Sequence, residues 1–510
     1  MKPLPARLLA LVPLALSAWV YHPILGSYFR MDDFLNLYTI ANGSLFEFLI
    51  TPHGGHLLVT RNALFYLFAS LLGTETQAWF ALVLLTHLLN VALLFEVIRL
   101  FTGSARLACL GAALWGMSPL HEGALAWYSV YGQVVAGALV LWILRGLARL
   151  AEGAPLSRFA PLRWSLLLIA ASASFGVGIG IALLFPALPW LLLPPSRDRA
   201  RLATAFAAVA LLVPLLYAGV RQLYLSLYGG APDLVPFLLG QLRQGGGVLS
   251  LWLQLLAFAT QGLLLGTLAP AVAYPGAATG AVLALAAAAA ALALARGPAP
   301  LRRRLLACAV IGAACYGIVA VGRVSFFGAE GNLRLVQARR LHYAGLMPLA
   351  IGLCVALAAL AARRPPRPAL GNACLAIGLL ALVAAQATSP PLVPDPSEAR
   401  RETEQVLAAI REAVDSSPPG QDVYIANRDF LAIDYPLLPR AARFPGWAAV
   451  FAIFHPSDRV EGRRVFFVET RPHVLAAARG GRRSGALLVG PEAVPAGAGP
   501  AGPPEAHPGD

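Results

Sequence analysis

The sequence predicts an all-α polytopic membrane protein of about 11 transmembrane helices, followed by a small C-terminal extracytoplasmic α/β domain. Three observations lead there. Hydrophobic residues make up 58% of the 510 and charged residues only 13%, about half the roughly 25% usual in soluble domains, so most of the chain lacks the side chains to cover a water-facing surface. The mean hydropathy is +0.68, and the apolar residues fall in long blocks for which the bilayer is the natural solvent. The formal net charge of +14 sits in short arginine runs between those blocks rather than among aromatics on one face, which excludes a nucleic-acid surface and marks topology instead.

A spanning helix needs about 20 mostly apolar residues. That criterion gives spans at 7–23, 77–98, 105–120, 130–149, 162–176, 178–194, 201–221, 272–296, 304–322, 341–361 and 369–388. Arginine excess marks the cytoplasmic side. It gathers at Lys2 and Arg7, at Arg99 and Arg106, from Arg145 to Arg163, from Arg197 to Arg201, from Arg296 to Arg304 and from Arg363 to Arg367, so every second loop is basic. Val248–Pro270 is also long enough to span, but counting it places Arg302, Arg303 and Arg304 outside. It is therefore read as an interfacial or re-entrant helix, with Gln254 and Gln261 on one helical face; twelve spans with one violated loop is the alternative. The first span also has the basic start, apolar run and Ala15-Leu16-Ser17 of a cleaved signal peptide.

The expected organisation is a transmembrane module over 1–389, with its first outer loop at 24–76, a small extracytoplasmic α/β domain over 390–490 and a disordered Pro/Gly/Ala-rich tail at 491–510. Within the small domain a helix is expected from Glu398 to Val414, with strands in DVYIA, RVFFVE and ALLVG. All five cysteines lie in apolar stretches and read as packing residues. Lys2 is the one lysine, and the Arg, Ala, Gly and Pro usage fits a GC-rich bacterial genome, hence a multi-pass protein of the cell inner membrane.

Candidate chemistry collects in the outer loops. Asp32 and Asp33, in YFRMDDFLNLY, lie close to the outer membrane boundary. Adjacent carboxylates there divide labour, one accepting a proton and the other binding substrate; a helix N-cap with a solvated neighbour explains them equally well. The same loop carries Glu47, His53, His56 and Arg61. PHGGH admits a divalent cation without specifying one, since further ligands at fixed spacing are lacking. Arg61 suits a lipid phosphate through its planar fork of donors, or a role snorkelling to the interface. SPLHEGALAWYSVYGQ packs His121, Glu122, Trp127, Tyr128, Tyr131 and Gln133 between two spans, a density suited to sugar or headgroup contact. An aromatic belt accounts for the rings but not for His121 and Glu122. GRVSFFGAEGNLRLVQARRLHY places Arg323, Arg334, Arg339 and Arg340 outside, against the arginine bias, where a phosphate is a natural partner.

In order along the chain stand Asp32-Asp33, THLLN, SPLHEGALAW and ARRLHY, and this succession resembles the GT-C superfamily of membrane glycosyltransferases. The branch most similar contains the transmembrane O-mannosyltransferases and their bacterial relatives, and the likeness covers residues 20–145 and 335–360. The resemblance implies a GT-C-like fold and an inverting hexosyl transfer from a polyprenyl-phosphate-linked sugar to a glycan, lipid or protein acceptor on the periplasmic face, with membrane lipids as surroundings. It implies Asp32 as catalytic base, assisted by Asp33, and substrate contacts from Arg61, His56, His121, Glu122, Trp127, Arg340 and Tyr343. The chain departs from those relatives at Leu57-Leu58, where Arg-Pro is frequent, and at Gly123, where a glutamate is usual. A non-catalytic envelope assembly protein of the same fold, or a lipid or glycan transporter, is the rival reading; a transporter calls for midplane charges and inverted repeats, and neither is visible.

Overall fold

The computed structural model describes residues 6–30, 32–42, 44–52, 56, 58–228, 234–268, 277–324, 335–362, 368–388, 392–393, 395, 397–416, 423–426, 465–468 and 487–489. His53, Leu57, Arg334 and the expected tail at 491–510 lie outside them. The described residues fall into two compact units, one drawn from Met1–Phe29, Ser44–Ser397 and Tyr435–Pro439, the other from Arg30–Gly43, Glu398–Asp434 and Arg440–Asp510.

The first unit is helical. In chain order it contains α1 (Ala6–Tyr21), then, after α2 (Asp32–Asn42), which belongs to the second unit, α3 (Leu45–Ile50), α4 (Val59–Leu72), α5 (Thr76–Thr102), α6 (Ala105–Gly116), α7 (Glu122–Leu125) and α8 (Tyr131–Ala151). It continues with α9 (Ala160–Ser172), α10 (Gly176–Leu184), α11 (Ala187–Leu192), α12 (Arg197–Tyr228), α13 (Leu234–Arg243), α14 (Gly245–Leu268), α15 (Ala277–Arg296), α16 (Ala299–Arg323), α17 (Tyr343–Ala361) and α18 (Pro368–Ala387). Among the described residues eight stretches are long and apolar enough to cross a membrane: Ala6–Gly26, Thr76–Thr102, Tyr128–Ala151, Arg197–Leu227, Gly245–Leu268, Ala299–Arg323, Tyr343–Ala361 and Ala369–Ala387.

The spans expected at 105–120, 162–176 and 272–296 correspond, among the described residues, to the shorter apolar stretches Ala105–Gly116, Ala160–Ser172 and Gly280–Arg296. The apolar stretch 178–194 is not one span but α10 and α11, broken at Phe185-Pro186, because a proline lacks the N–H that would continue the ladder. The segment expected at 105–120 stops at Gly116, where Met117-Ser118 leads into Pro119 and the residue before a proline is pushed out of the helical region. The expected loop at 24–76 holds an unexpected apolar helix, α4.

Local chemistry fixes the hairpins. Gly103 ends α5 in the left-handed conformation (φ 69°), its N–H donating to the Arg99 carbonyl at 2.8 Å, and glycine adopts that geometry without steric cost. Ser104 then caps α6, its Oγ accepting from Leu107 N–H at 3.3 Å, so α5 and α6 run antiparallel with a two-residue turn. Small residues let these helices approach. A Cβ on Gly111 would meet Ile98 and Cys354, and one on Gly116 would meet Ser17 and Val91. In lipid, where apolar burial does not drive helices together, such close packing and interhelical hydrogen bonds do. Leu211 and Leu215 of α12 and Ile377 and Leu380 of α18 are exposed outward, as lipid-facing side chains would be.

The bundle has two distinct ends. At one, Arg304 donates to the Phe101 carbonyl at 2.5 Å and lies over that ring; the first residues of α18 reach Arg106 there. At the other, Arg323 meets His56, and Gly123 packs against Arg339 and Arg340. α14 stays with this second end. Gly247 lies beside Val324 just past α16, Phe258 packs on His342 at a centroid separation of 5.1 Å, and Gly262 packs on Leu120. α14 is long enough to span, and these three contacts, near its start, middle and last third, lie at this end.

The second unit contains α2 (Asp32–Asn42), α19 (Glu398–Asp415) and three strands, β1 (Val423–Ala426), β2 (Val465–Val468) and β3 (Leu487–Val489). The strands form one sheet in the order β1-β2-β3, the first pair parallel with Val423 opposite Val465, the second antiparallel with Val465 opposite Val489. Helix and strands occur where the three apolar runs and the Glu398 segment place them. The Asp32-Asp33 helix, expected in the transmembrane module, groups with this unit.

Candidate functional site

A cluster of polar residues lies at the end of the helical unit opposite Arg304. Where α6 stops, the chain makes a 3₁₀ turn (Pro119–His121), the single turn α7, a second 3₁₀ turn (Tyr128–Val130) and then α8. A third 3₁₀ turn, Arg339–Leu341, leads into α17. These irregular segments meet. A Cβ on Gly123 would lie 2.6 Å from the Arg340 nitrogen and 3.0 Å from the Arg339 Cβ, so glycine is what allows the two turns to touch. Arg339 reaches Glu122 Oε2 at 3.6 Å, and the Gln133 side-chain amide donates to the Arg340 carbonyl. The Arg340 guanidinium lies over Trp127, 5.3 Å from the ring centroid, a cation–π arrangement.

Beneath these turns lies a buried network. Asn90 Nδ2 donates to Val134 O at 2.9 Å and to Tyr343 Oη at 3.0 Å; Tyr343 Oη is 2.9 Å from His87 Nδ1, and His87 Nε2 is 3.1 Å from Gly116 O. One neutral tautomer satisfies the chain, with the tyrosine donating to Nδ1 and Nε2–H donating to the carbonyl. Tyr21 donates to the Ser118 carbonyl. His121 is fully buried among Trp115 (4.5 Å), Tyr343 (4.6 Å) and His87 (5.4 Å). Burial, with His87 alongside, holds its imidazole well below the usual pKa, against the opposing pull of the Trp115 carbonyl.

A second group sits at the starts of α4, α8 and α10. Thr60 N–H donates to Ala173 O at 2.9 Å, and Gly132 packs against the Ser174 carbonyl and Arg61. Arg61 is buried, with its guanidinium 5.7 Å from the Phe65 centroid. His56 stacks on Phe175 at 4.8 Å and fits against Gly176, while its Nε2 faces an Arg323 amine at 3.2 Å. A histidine nitrogen turned to a guanidinium is poorly placed for a cation, and among the described residues no group of three or more His, Cys, Asp and Glu side chains could hold a metal ion.

Of the residues singled out from sequence, His121, Glu122, Trp127, Arg340 and Tyr343 thus come together, and His56 and Arg61 flank the 173–176 turn. Asp32 and Asp33 form the first turn of α2 in the other unit. There Asp33 is fully buried and its Oδ2 accepts from Arg30 N–H at 3.1 Å, a carboxylate reaching back to cap its own helix. Asp32 is half-buried, its carbonyl accepting from Asn36 Nδ2 at 2.5 Å. Sequence reasoning reached His87 and Asn90 only as part of THLLN, with no role assigned to either, and did not single out Tyr21. For the first two a signal existed: a histidine and an asparagine three residues apart on one face of an otherwise apolar span.

No protein-family profile matches the chain, and no curated protein does. Among solved structures the chain is similar to the arabinofuranosyltransferase AftD from Mycobacteria, at 16% identity and TM-score 0.43, covering 92% of this chain but 35% of that one. A variant of the same protein gives 18% and 0.44. ArnT from Cupriavidus metallidurans, bound to undecaprenyl phosphate, is similar at 14% identity and TM-score 0.36 over 93% of this chain and 94% of that one. The chain spans about a third of the length of AftD. At these scores the likenesses carry no weight for fold or activity, and the functional reading rests on the residues themselves.

Proposed function

We propose that the chain is a GT-C-type membrane glycosyltransferase, moving a sugar from a polyprenyl-phosphate-linked donor to a glycan, lipid or protein acceptor on the extracytoplasmic face of a bacterial inner membrane. The observation that carries this reading is the convergence of three motifs far apart in sequence. THLLN supplies His87 and Asn90, SPLHEGALAW supplies His121, Glu122 and Trp127, and ARRLHY supplies Arg339, Arg340 and Tyr343, all at the end of the bundle opposite Arg304. Hydropathy alone gives no reason for that convergence.

In this reading Arg340, and Arg61 beside the 173–176 turn, bind the donor phosphate through planar donor forks. His56 and Glu122 shape the surroundings of donor and acceptor. Asp32 takes the proton of the acceptor hydroxyl, which at neutral pH is otherwise a poor nucleophile, as that oxygen attacks the anomeric carbon and the polyprenyl phosphate leaves in one inverting displacement. The division between the two carboxylates follows from their surroundings, since Asp33 is committed to the Arg30 N–H and Asp32 is the more exposed. The test is mass spectrometry of envelope glycans and glycoproteins in a deletion strain against its parent, with transfer assayed on the purified protein using undecaprenyl-phosphate-linked sugars. A missing hexose restored by the wild-type gene but not by an Asp32→Asn gene supports the reading. An unchanged glycan profile, with no transfer in vitro, overturns it.

A further inference from the structure

We propose that Gln133 and Trp127 are positioning residues for Arg340, together setting the direction in which its guanidinium meets the donor phosphate; this rests on the glycosyltransferase reading above. Arg340 lies in a 3₁₀ turn between residues 325–334, which are outside the described part, and α17. A turn of three residues has little stiffness of its own. The structure nevertheless ties this one down from the opposite side of the bundle end.

Gln133, in the first turn of α8, is buried and donates to the Arg340 carbonyl 207 residues away in sequence. This fixes the backbone of the arginine. Gly123 admits that backbone within 2.6 Å of where a Cβ would stand, which leaves no room for the turn to shift toward α7. The Glu122–Arg339 pair sets the register, so that residue 339 and not 340 takes the carboxylate. The side chain is then held by Trp127, with the guanidinium carbon over the indole 5.3 Å from the ring centroid. A planar cation stacked on an aromatic face keeps its charge and its edge donors available, as recognition of a phosphate requires. Trp127 therefore acts on the donor through Arg340, in place of the direct sugar contact expected of a loop tryptophan.

The test is binding of undecaprenyl phosphate to the purified full chain in nanodiscs, with undecaprenol, which has the same tail and no phosphate, as the comparison ligand. Arg340→Gln abolishes most of the preference for the phosphate. Trp127→Leu and Gln133→Leu each reduce that preference about 3- to 30-fold, the range spanned by a cation–π contact, while undecaprenol binding stays at the parental level. Trp127→Phe, which keeps an aromatic face, restores much of the loss. In the double variant Trp127→Leu with Arg340→Gln the effects fail to add, since the tryptophan acts only through the arginine. If Arg340→Gln lowers the preference but Trp127→Leu does not, or if the two add, positioning is overturned and the donor reading stands. If Arg340→Gln itself leaves the preference unchanged, both fall. Should Gln133→Leu not fold, the tryptophan series decides alone.

Discussion

Tyr343→Phe isolates the buried network from the packing around it. The substitution removes one oxygen and keeps the ring that lies 5.2 Å from Trp115 and 4.6 Å from His121. That oxygen makes two hydrogen bonds, 2.9 Å to His87 Nδ1 and 3.0 Å to Asn90 Nδ2. Side-chain hydrogen bonds between membrane helices average about 0.6 kcal/mol and reach about 1.7, so the pair contributes roughly 1 to 3 kcal/mol. Asn90 keeps its bond to Val134 O, but His87 Nδ1 is left as a buried acceptor without a donor, a penalty of about 1 to 3 kcal/mol in its own right. The two descriptions overlap, and a total of about 2 to 4 kcal/mol is expected. Thermal unfolding in detergent with a thiol-reactive dye reads this directly, because Cys109, Cys308, Cys315 and Cys354 are buried and only Cys374 is exposed. In a Cys374→Ser background the midpoint falls by about 2 to 4 °C, at roughly 1 °C per kcal/mol for a chain of this size. His87→Ala combined with Tyr343→Phe costs little more than His87→Ala alone, since both break one chain of bonds. A Tyr343→Phe midpoint within about 1 °C of the parent refutes the reasoning, and shows that the tyrosine contributes its ring and not its hydroxyl.

Other outcomes follow from the same geometry. Asp32→Asn lowers transfer about 10²- to 10⁴-fold, as expected for loss of a general base, with expression unchanged; Asp33→Asn lowers it less, and equal transfer by parent and Asp32→Asn in the undecaprenyl-phosphate-sugar assay removes Asp32 as base. Gly123→Val drives a side chain into the Arg340 backbone and costs about 1 to 3 kcal/mol, whereas Gly219→Ala, which meets nothing within 4 Å, is neutral or stabilising in the same unfolding assay. Single cysteines at Gly246 and Leu268, in a background without native cysteines, react with an impermeant maleimide from the same side of the membrane; reaction from opposite sides makes α14 a spanning helix. Because burial depresses the His121 pKa in the folded chain, the unfolded chain binds the proton more readily. Stability is thus complete above the ordinary histidine value of about 6.5 and declines as pH falls below it. His121→Gln reduces that decline, as measured by unfolding midpoints across the acid range.

Long apolar blocks separated by arginine runs made the helical unit legible in the sequence, because hydropathy and charge bias act residue by residue and need no knowledge of packing. The same bookkeeping misread 178–194, since apolar length counts Pro186 as hydrophobic while the backbone counts it as a missing donor. It set α14 apart, through the three arginines that a crossing at 248–270 would misplace, although α14 is itself long and apolar enough to span. At the candidate site the outer-loop residues were legible because polar groups at a membrane boundary demand a reason. Their partners were not. Gln133 and Arg340, His87 and Tyr343, and His56 and Arg323 are separated by more than 200 residues each, and which helix ends meet is decided by small-residue contacts such as Gly123 on Arg339–Arg340, which no periodicity encodes. The placement of Asp32-Asp33 with the C-terminal strands was equally invisible, as an acidic pair reads alike whichever unit receives it.

The polar network and the candidate site have one physical origin, the early ending of helices inside the bundle. A helix that stops within a membrane leaves carbonyls with no intrahelical partner, and no water is at hand to satisfy them. α6 stops at Gly116, and His87 takes the Gly116 carbonyl while Tyr21 takes that of Ser118. Before α17 the chain makes the Arg339–Leu341 turn, and Gln133 takes the Arg340 carbonyl while His342 is 2.7 Å from that of Val336. Each of these donors has a structural reason to exist that owes nothing to catalysis. The turns they stabilise, however, are what place Glu122, Trp127, Arg339 and Arg340 side by side, an arrangement a continuous helix could not make, because neighbours in a helix point to different faces. Substitutions in the buried donors should therefore disturb ligand binding in proportion to how far they release the turns. A donor whose loss destabilises the fold without changing undecaprenyl phosphate binding would separate the two roles that the structure joins.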